Sequence, residues 1–170
     1  MSNIHIQYFK TAYGELLLGE HDNHLIICDW RYRKMRDTID RRIQTNLKSN
    51  YTEKNNALLD STRQQLTEYF EYKRKIFDLP LKLVGTEFQK KVWNGLTKIP
   101  YGKTAHYLEL ASNISNAKAV RAVANANGAN ALSILIPCHR VIGRNGNLAG
   151  YAGGVATKRK LLDLEQSLFV

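Results

Sequence analysis

The sequence predicts an α+β protein: a small N-terminal α/β domain with antiparallel strands, then a mostly helical C-terminal domain containing a helix-turn-helix. Three observations predict it. Apolar residues alternate with polar ones over residues 1–30, the signature of half-buried strands. Residues 55–72 change to a helical period. From Thr86 onward, short helical stretches follow one another, separated by Gly, Pro and Asn breaks. The expected domains are residues 1–83 and 84–170.

Ile4, Ile6 and Tyr8 open the first strand. A turn at Ala12-Tyr13-Gly14 leads into Leu16-Leu17-Leu18-Gly19, and Asp22-Asn23 turns the chain into Leu25-Ile26-Ile27-Cys28-Asp29-Trp30. Together they read as a meander. Cys28 lies inside the apolar run and reads as core. Residues 31–50 carry Arg31, Arg33, Lys34, Arg36, Arg41, Arg42 and Lys48, a charge run that reads as a solvated face, part helix and part loop. Leu58, Leu59, Leu66, Tyr69 and Phe70 form the apolar stripe of a helix, and Pro80 lies beyond its end.

In the second half, Thr86 and Gln89 have capping-box spacing ahead of the stripe Phe88, Val92, Trp93 and Leu96. After the turn Ile99-Pro100-Tyr101-Gly102, a helix is expected at about 104–112 and another at about 117–127, with Asn113 to Asn116 breaking the pattern and offering caps. On the second of these, Val120, Val123, Ala124 and Asn127 share one face, and Lys118, Arg121, Ala122 and Asn125 share another. The latter set is basic and small, so backbone there could approach a phosphate or a groove. Asn145-Gly146 is a hairpin signal. The last helix, about 155–166, ends near Glu165, a carboxylate that opposes the helix dipole and needs either a partner or solvent.

Composition narrows the function. Lysine and arginine outnumber the acids by 25 to 15, a formal charge of +10, which attracts polyanions, nucleic acid first. No segment reaches the ~18 apolar residues of a membrane span. The start, Met1-Ser2-Asn3-Ile4-His5, lacks the basic region and apolar core of a signal peptide. Two cysteines make no disulfide framework and fit a reducing compartment, the cytoplasm, or the nucleus in a eukaryote.

The chemistry concentrates in Ile134-Leu135-Ile136-Pro137-Cys138-His139-Arg140-Val141. An apolar run delivers a thiol with a base beside it, the usual apparatus for nucleophilic attack. If the backbone is extended, adjacent side chains point to opposite faces, so a bridging water would carry the proton between Cys138 and His139. Glu165 could hold the imidazole in the required tautomer, giving a Cys–water–His–Glu relay.

This motif, with Arg121 and Asn130 at the appropriate spacing before it, resembles the O6-alkylguanine-DNA alkyltransferases, and the resemblance runs from about Gly85 to Glu165. Residues 1–80 resemble that family in size and strand-then-helix order. The resemblance implies a ribonuclease-H-like N-terminal domain and the irreversible transfer of one alkyl group from guanine O6, or from O4 of thymine, to Cys138. His139 would be the base, Glu165 its orienter, and Asn130 the brace of the active-site turn. Tyr107 would donate to guanine N3 and also contact DNA. Arg121 would fill the gap left by an extruded nucleotide, with Lys118, Ala122 and Asn125 on the same DNA face. Pro137, Val141, Tyr151, Ala152 and Gly153 would wall the pocket, the carbonyls of Cys138 and Val141 accepting from the guanine amine. The family often has Ser where this chain has Ala152, so a hydroxyl contact is lost and the backbone N–H remains.

The implied partner is double-stranded DNA bearing O6-alkylguanine, entered from the minor groove by a monomer, with no cofactor and no membrane. The structural zinc of some members is not expected, because His5, His21, His24 and Cys28 lack ligand spacing. Two other readings are a protein that recognises alkylated DNA without repairing it and a thiol hydrolase on another fold. Retention of Cys138 argues against the first, and catalytic turnover of an ester or peptide would favour the second.

Overall fold

The computed structural model describes residues 2–115, 117–148 and 150–167. Strands β1 (Ile4–Thr11), β2 (Gly14–His21) and β3 (His24–Trp30) form the expected antiparallel meander. Asp22 and Asn23, with φ of 53° and 63°, make its second turn, the left-handed pair that matches strand twist. A short strand β4 (Tyr51–Glu53), not anticipated, pairs parallel with β1 and completes the order β3-β2-β1-β4.

Two helices sandwich this sheet, which is why β2 and β3 are apolar almost continuously rather than strictly alternating. Helix α1 (Arg36–Leu47) lays Ile39 and Ile43 against Ile4, Ile6, Leu17 and Ile27. Helix α2 (Ala57–Phe70), capped by Asn56, whose side chain accepts from Leu59 N at 2.9 Å, brings Leu59, Leu66 and Tyr69 against Leu16, Leu18 and Leu25. The basic stretch before and within α1 divides: Lys34, Arg41 and Lys48 are exposed, as a solvated face requires, and the others are partly buried. Arg33 and Arg36 turn inward onto the fully buried Asp29 at 3.1 and 3.0 Å.

The edge of β3 carries the joint to the second half. Leu25 N donates to Pro80 O at 2.8 Å, and Cys28 N donates to Ala131 O at 2.8 Å, so both the connecting segment and the segment leading to Cys138 dock there. Cys28 is fully buried, as its setting predicted.

Helix α3 (Glu87–Leu96) begins with the predicted capping box. Gln89 N donates to Thr86 Oγ1 at 3.1 Å, and Thr86 N donates to Gln89 Oε1 at 3.0 Å. Val92, Trp93 and Leu96 are its buried face, and Trp93 Nε1 donates to Ala126 O at 2.8 Å. Helix α4 (Tyr107–Ile114), a 3-10 turn over 117–119 and α5 (Val120–Gly128) form the helix-turn-helix. Asn116, one of the expected caps, lies outside the described residues. Strand β5 (Ala105–His106) pairs in parallel with β6 (Val141–Ile142), a contact absent from the sequence reading. Asn145 and Gly146 do turn the chain, with φ of 61° and 75°, but β6 is already paired with β5 and no returning strand follows among the described residues. Ala149, on that expected return, lies outside them. Helix α6 (Val155–Glu165) ends the fold.

The capping box gives a local test of this architecture. Thr86→Ala should lower unfolding stability by about 1 kcal/mol in urea melts, the usual value of an N-cap.

Candidate active site

The turn that presents Cys138 is built by residues before it. Asn130 is buried, accepts from Leu132 N through Oδ1 at 2.9 Å, and donates through Nδ2 to Ile136 O at 2.9 Å. Ile136 N closes back on Leu132 O at 2.8 Å. Ile134 sits at φ 73°, a left-handed conformation that costs a β-branched residue about 1–2 kcal/mol. The neighbouring Ser133 is tied down, its Oγ donating to Asp29 Oδ1 at 3.1 Å.

Pro137 then adopts φ −80° and ψ 64°, an inverse γ-turn closed by Cys138 N on Ile136 O at 2.8 Å. Its ring presets that φ. Cys138 to Arg140 form a single 3-10 turn, with Arg140 N on Pro137 O at 3.0 Å. This corrects the extended backbone considered from sequence: the thiol starts a turn, and the strand β6 follows it.

Behind the thiol lies a closed set of polar groups. His139 is fully buried, and its Nε2 is 2.7 Å from Glu165 Oε2. Arg140 donates Nε to Glu165 Oε1 at 2.8 Å and Nη2 to Oε2 at 3.1 Å, while Nη1 reaches Ile99 O at 2.7 Å. Tyr69, from α2, donates its hydroxyl to Glu165 Oε2 at 2.6 Å. Burial by itself would push the Glu165 carboxyl up, but hydrogen bonds and charge from His139 and Arg140 outweigh it and bring it down to about 2. Burial pushes His139 down, against the opposing pull of Glu165. The pair is therefore neutral imidazole and ionised carboxylate. An ionised carboxylate only accepts, so the imidazole proton sits on Nε2. Nδ1 keeps its lone pair, and the described residues offer that atom no hydrogen bond.

Cys138 is itself held up by burial and the charge of Asp29, eased by Asn130, Arg33 and Lys158. It rests as a thiol and needs a base. Lys158 is fully buried, with Nζ donating to Val141 O at 2.6 Å and lying 3.4 Å from Gly150 O. Burial pulls its ammonium down, while the charge of Cys138 pulls the other way.

In front of the thiol opens a cavity of about 900 Å³, whose walls include Tyr107, Asn127, Tyr151, Ala152, Gly153 and Trp30. Pro137 and Val141, expected as walls, flank the turn that carries the thiol and are not among the residues lining the cavity. Tyr151 accepts from Trp30 Nε1 at 3.0 Å and packs edge-on to it, with centroids 6.3 Å apart. A Cβ on Gly153 would stand 2.8 Å from the Trp30 indole, so only glycine lets this wall lie flat on the tryptophan. Tyr107 is half-buried, and burial with the nearby Cys138 charge raises its phenol, keeping it a donor.

On α5 the two faces separate as the spacing indicated. Val123 and Asn127 are buried; Arg121, Ala122 and Asn125 are exposed, as is Lys118 on the preceding turn. The C-terminal carbonyls of this helix and of the two residues beyond it are capped from the N-terminal half. Arg33 donates to Gly128 O and to Asn130 O, the latter at 3.2 Å, and Arg42 donates to Ala129 O at 3.0 Å. Cations suit that end of a helix dipole.

The fold thus brings Cys138 and Tyr107 to one cavity, with Asn130 buried in the turn beside the thiol and His139 paired with Glu165, all three outside its lining. Sequence reasoning passed over Tyr69, Arg140, Lys158, Trp30, Asp29 and Arg33. Arg140 adjoins the motif, and an aspartate inside the apolar run of β3 signalled a buried ionic partner. The others are set by tertiary placement alone. Among the described residues, no group of three His, Cys, Asp or Glu side chains could hold a metal ion, and no helix is long and apolar enough to cross a membrane.

Comparison with known proteins follows the same division. Residues 4–83 match the family described as 6-O-methylguanine DNA methyltransferase, ribonuclease-like domain, and residues 87–167 match its DNA binding domain. The constitutive methylated-DNA--protein-cysteine methyltransferase of Bacillus subtilis is 41% identical over 165 residues, covering 95% of this chain and 96% of that protein. The inducible protein of the same organism is 53% identical over 102 residues, 60% of this chain and 57% of its own length. The Mycobacterium tuberculosis OGT crystallised in complex with DNA superposes with a TM-score of 0.80 at 36% identity, covering 95% of this chain and 92% of that one.

The buried His–Glu pair makes acid stability diagnostic. Both groups titrate below their ordinary values of 6.5 and 4.5, so the unfolded chain binds protons first and stability falls with pH. Losses should begin below about 6.5 through His139 and steepen between 4.5 and about 2 through Glu165. Glu165→Gln should be less stable at neutral pH and show a flatter decline through the lower window, read by urea melts at stepped pH.

Proposed function

This chain belongs to the 6-O-methylguanine DNA methyltransferase family, and from that premise we propose that it repairs DNA by direct reversal, moving one alkyl group from O6-alkylguanine onto Cys138. The observation that carries the reading is the neutral His139, with its Nε2 proton committed to Glu165 and its Nδ1 lone pair unclaimed, one residue from a protonated thiol that lines an open cavity with room for a nucleotide base.

The exposed face of α5, with Arg121, Ala122, Asn125 and the adjacent Lys118, enters the minor groove, where small residues and arginine suit a narrow space. The damaged nucleotide swings into the cavity at a cost of a few kcal/mol, and Arg121 offsets part of that by filling the stack. Through a bridging water, His139 Nδ1 takes the Cys138 proton. The thiolate attacks the alkyl carbon in line with the C–O6 bond. A C–S bond forms, the C–O6 bond breaks, and its electron pair goes to the guanine. Tyr107 donates a hydrogen bond to N3 as that charge develops, a backbone N–H of the 151–153 wall faces O6, and the freed guanine takes up a proton from solvent as His139 returns the one it took. The carbonyls of Cys138 and Val141 receive the exocyclic amine, the latter oriented by Lys158. The product thioether has no carbonyl for water to attack, so each molecule acts once, as a monomer and without a cofactor.

Incubation with duplex DNA containing O6-methylguanine should add the mass of one methyl group, localised to the Cys138 peptide. Methyl loss from the DNA under Cys138→Ala overturns the reading, as does transfer to any other residue. Arg121→Ala should slow repair of duplex by about tenfold while sparing single strands, because the flipping cost falls on the duplex.

A further inference from the structure

The relay has a member from outside the helical half. Tyr69 sits on α2, against the N-terminal sheet, is fully buried, and donates to the same Glu165 Oε2 that faces His139 Nε2. Its ring is fixed by aromatic neighbours: Phe70 and Phe77 with centroids at 5.5 Å each, and Tyr101 edge-on at 6.3 Å. Neither its ring nor its hydroxyl lines the alkyl-acceptor cavity.

We propose that Tyr69 is a positioning residue for alkyl transfer, fixing the Glu165 carboxylate and moderating its pull on the His139 proton, so that the N-terminal domain forms part of the relay. The proposal rests on the repair reaction given above. Glu165 Oε2 takes three donors, Tyr69 Oη at 2.6 Å, His139 Nε2 at 2.7 Å and Arg140 Nη2 at 3.1 Å, and Oε1 takes Arg140 Nε at 2.8 Å. Each donor draws charge from the oxygen it meets. Removing the phenol leaves Oε2 more basic, and the carboxylate then holds an imidazolium more strongly. The His139 pKa rises. A base that is already protonated cannot accept from Cys138, so transfer is lost at a higher pH than in the wild type.

The other charges in contact stay unchanged. Glu165 is faced by Arg140, His139 and the phenols of Tyr69 and Tyr101; His139 is faced by Glu165, Arg140, Lys158 and the edge of Tyr151. Burial and the Glu165 charge hold the Tyr69 phenol well above its ordinary value, so it is a donor across the working range.

The test is Tyr69→Phe, which removes the hydroxyl and keeps the ring. Single-turnover methyl transfer from a methylated duplex is followed against pH, and the His139 ring is titrated by NMR in the same protein. The acid limb and the His139 midpoint should both move up by about 0.5–1 pH unit, the scale of one lost donor to a charged group. In a Glu165→Gln background the same substitution should move neither. Fluorotyrosine at position 69, a stronger donor in an intact core, should shift the midpoint the other way. Phe70→Leu on the same helix should lower the melting temperature and leave the midpoint in place. An unmoved His139 midpoint in both Tyr69→Phe and the fluorotyrosine protein overturns the proposal, whatever the melting temperature does. A wild-type protein that transfers no methyl overturns the repair reading instead, and the NMR titration still decides the role of Tyr69.

Discussion

One buried carboxylate holds the reactive end of this molecule together. Taking a charge out of water costs several kcal/mol, and Glu165 recovers it only because donors surround it. Its position at the C-terminal end of α6 makes the demand greater, since the helix dipole disfavours an anion there. His139 and Arg140 come from the turn that carries the thiol, and Tyr69 comes from across the molecule. The same anion therefore sets the imidazole tautomer, anchors the last helix and joins two parts of the fold.

Around that anchor, burial keeps the reacting pair uncharged at rest. It pushes Cys138 up and His139 down, so the thiolate that would react with any electrophile or oxidant is scarce. Asn130 contributes on both counts. It braces the two backbone groups that shape the turn, and its side chain eases the burden of burial on the sulfur.

Much of this was legible in the residues. The meander, α2, the Thr86 capping box and the two faces of α5 follow from local periodicity and cap chemistry, and the motif pointed to the family the chain belongs to. What stayed hidden has a common cause. β4, the β5–β6 pair, the inward arginines and Tyr69 depend on partners far away in sequence, where no local period points. A basic run carries no mark that says which of its guanidinium groups will meet water and which will meet carbonyls. The turn at Cys138 was misjudged for a different reason: its 3-10 geometry comes from the Pro137 γ-turn and the Asn130 brace, not from the apolar run leading into it.

The inward arginines also change what the net charge means. The formal +10 counts every lysine and arginine equally. Arg33, Arg36, Arg42, Arg140 and Lys158 are occupied with Asp29, Asp40, Glu165 and backbone carbonyls. Part of the positive charge is thus internal mortar, fastening the sheet to the end of α5. The pull on a polyanion at the surface falls to the exposed cations, Lys118 and Arg121 of the helix-turn-helix among them.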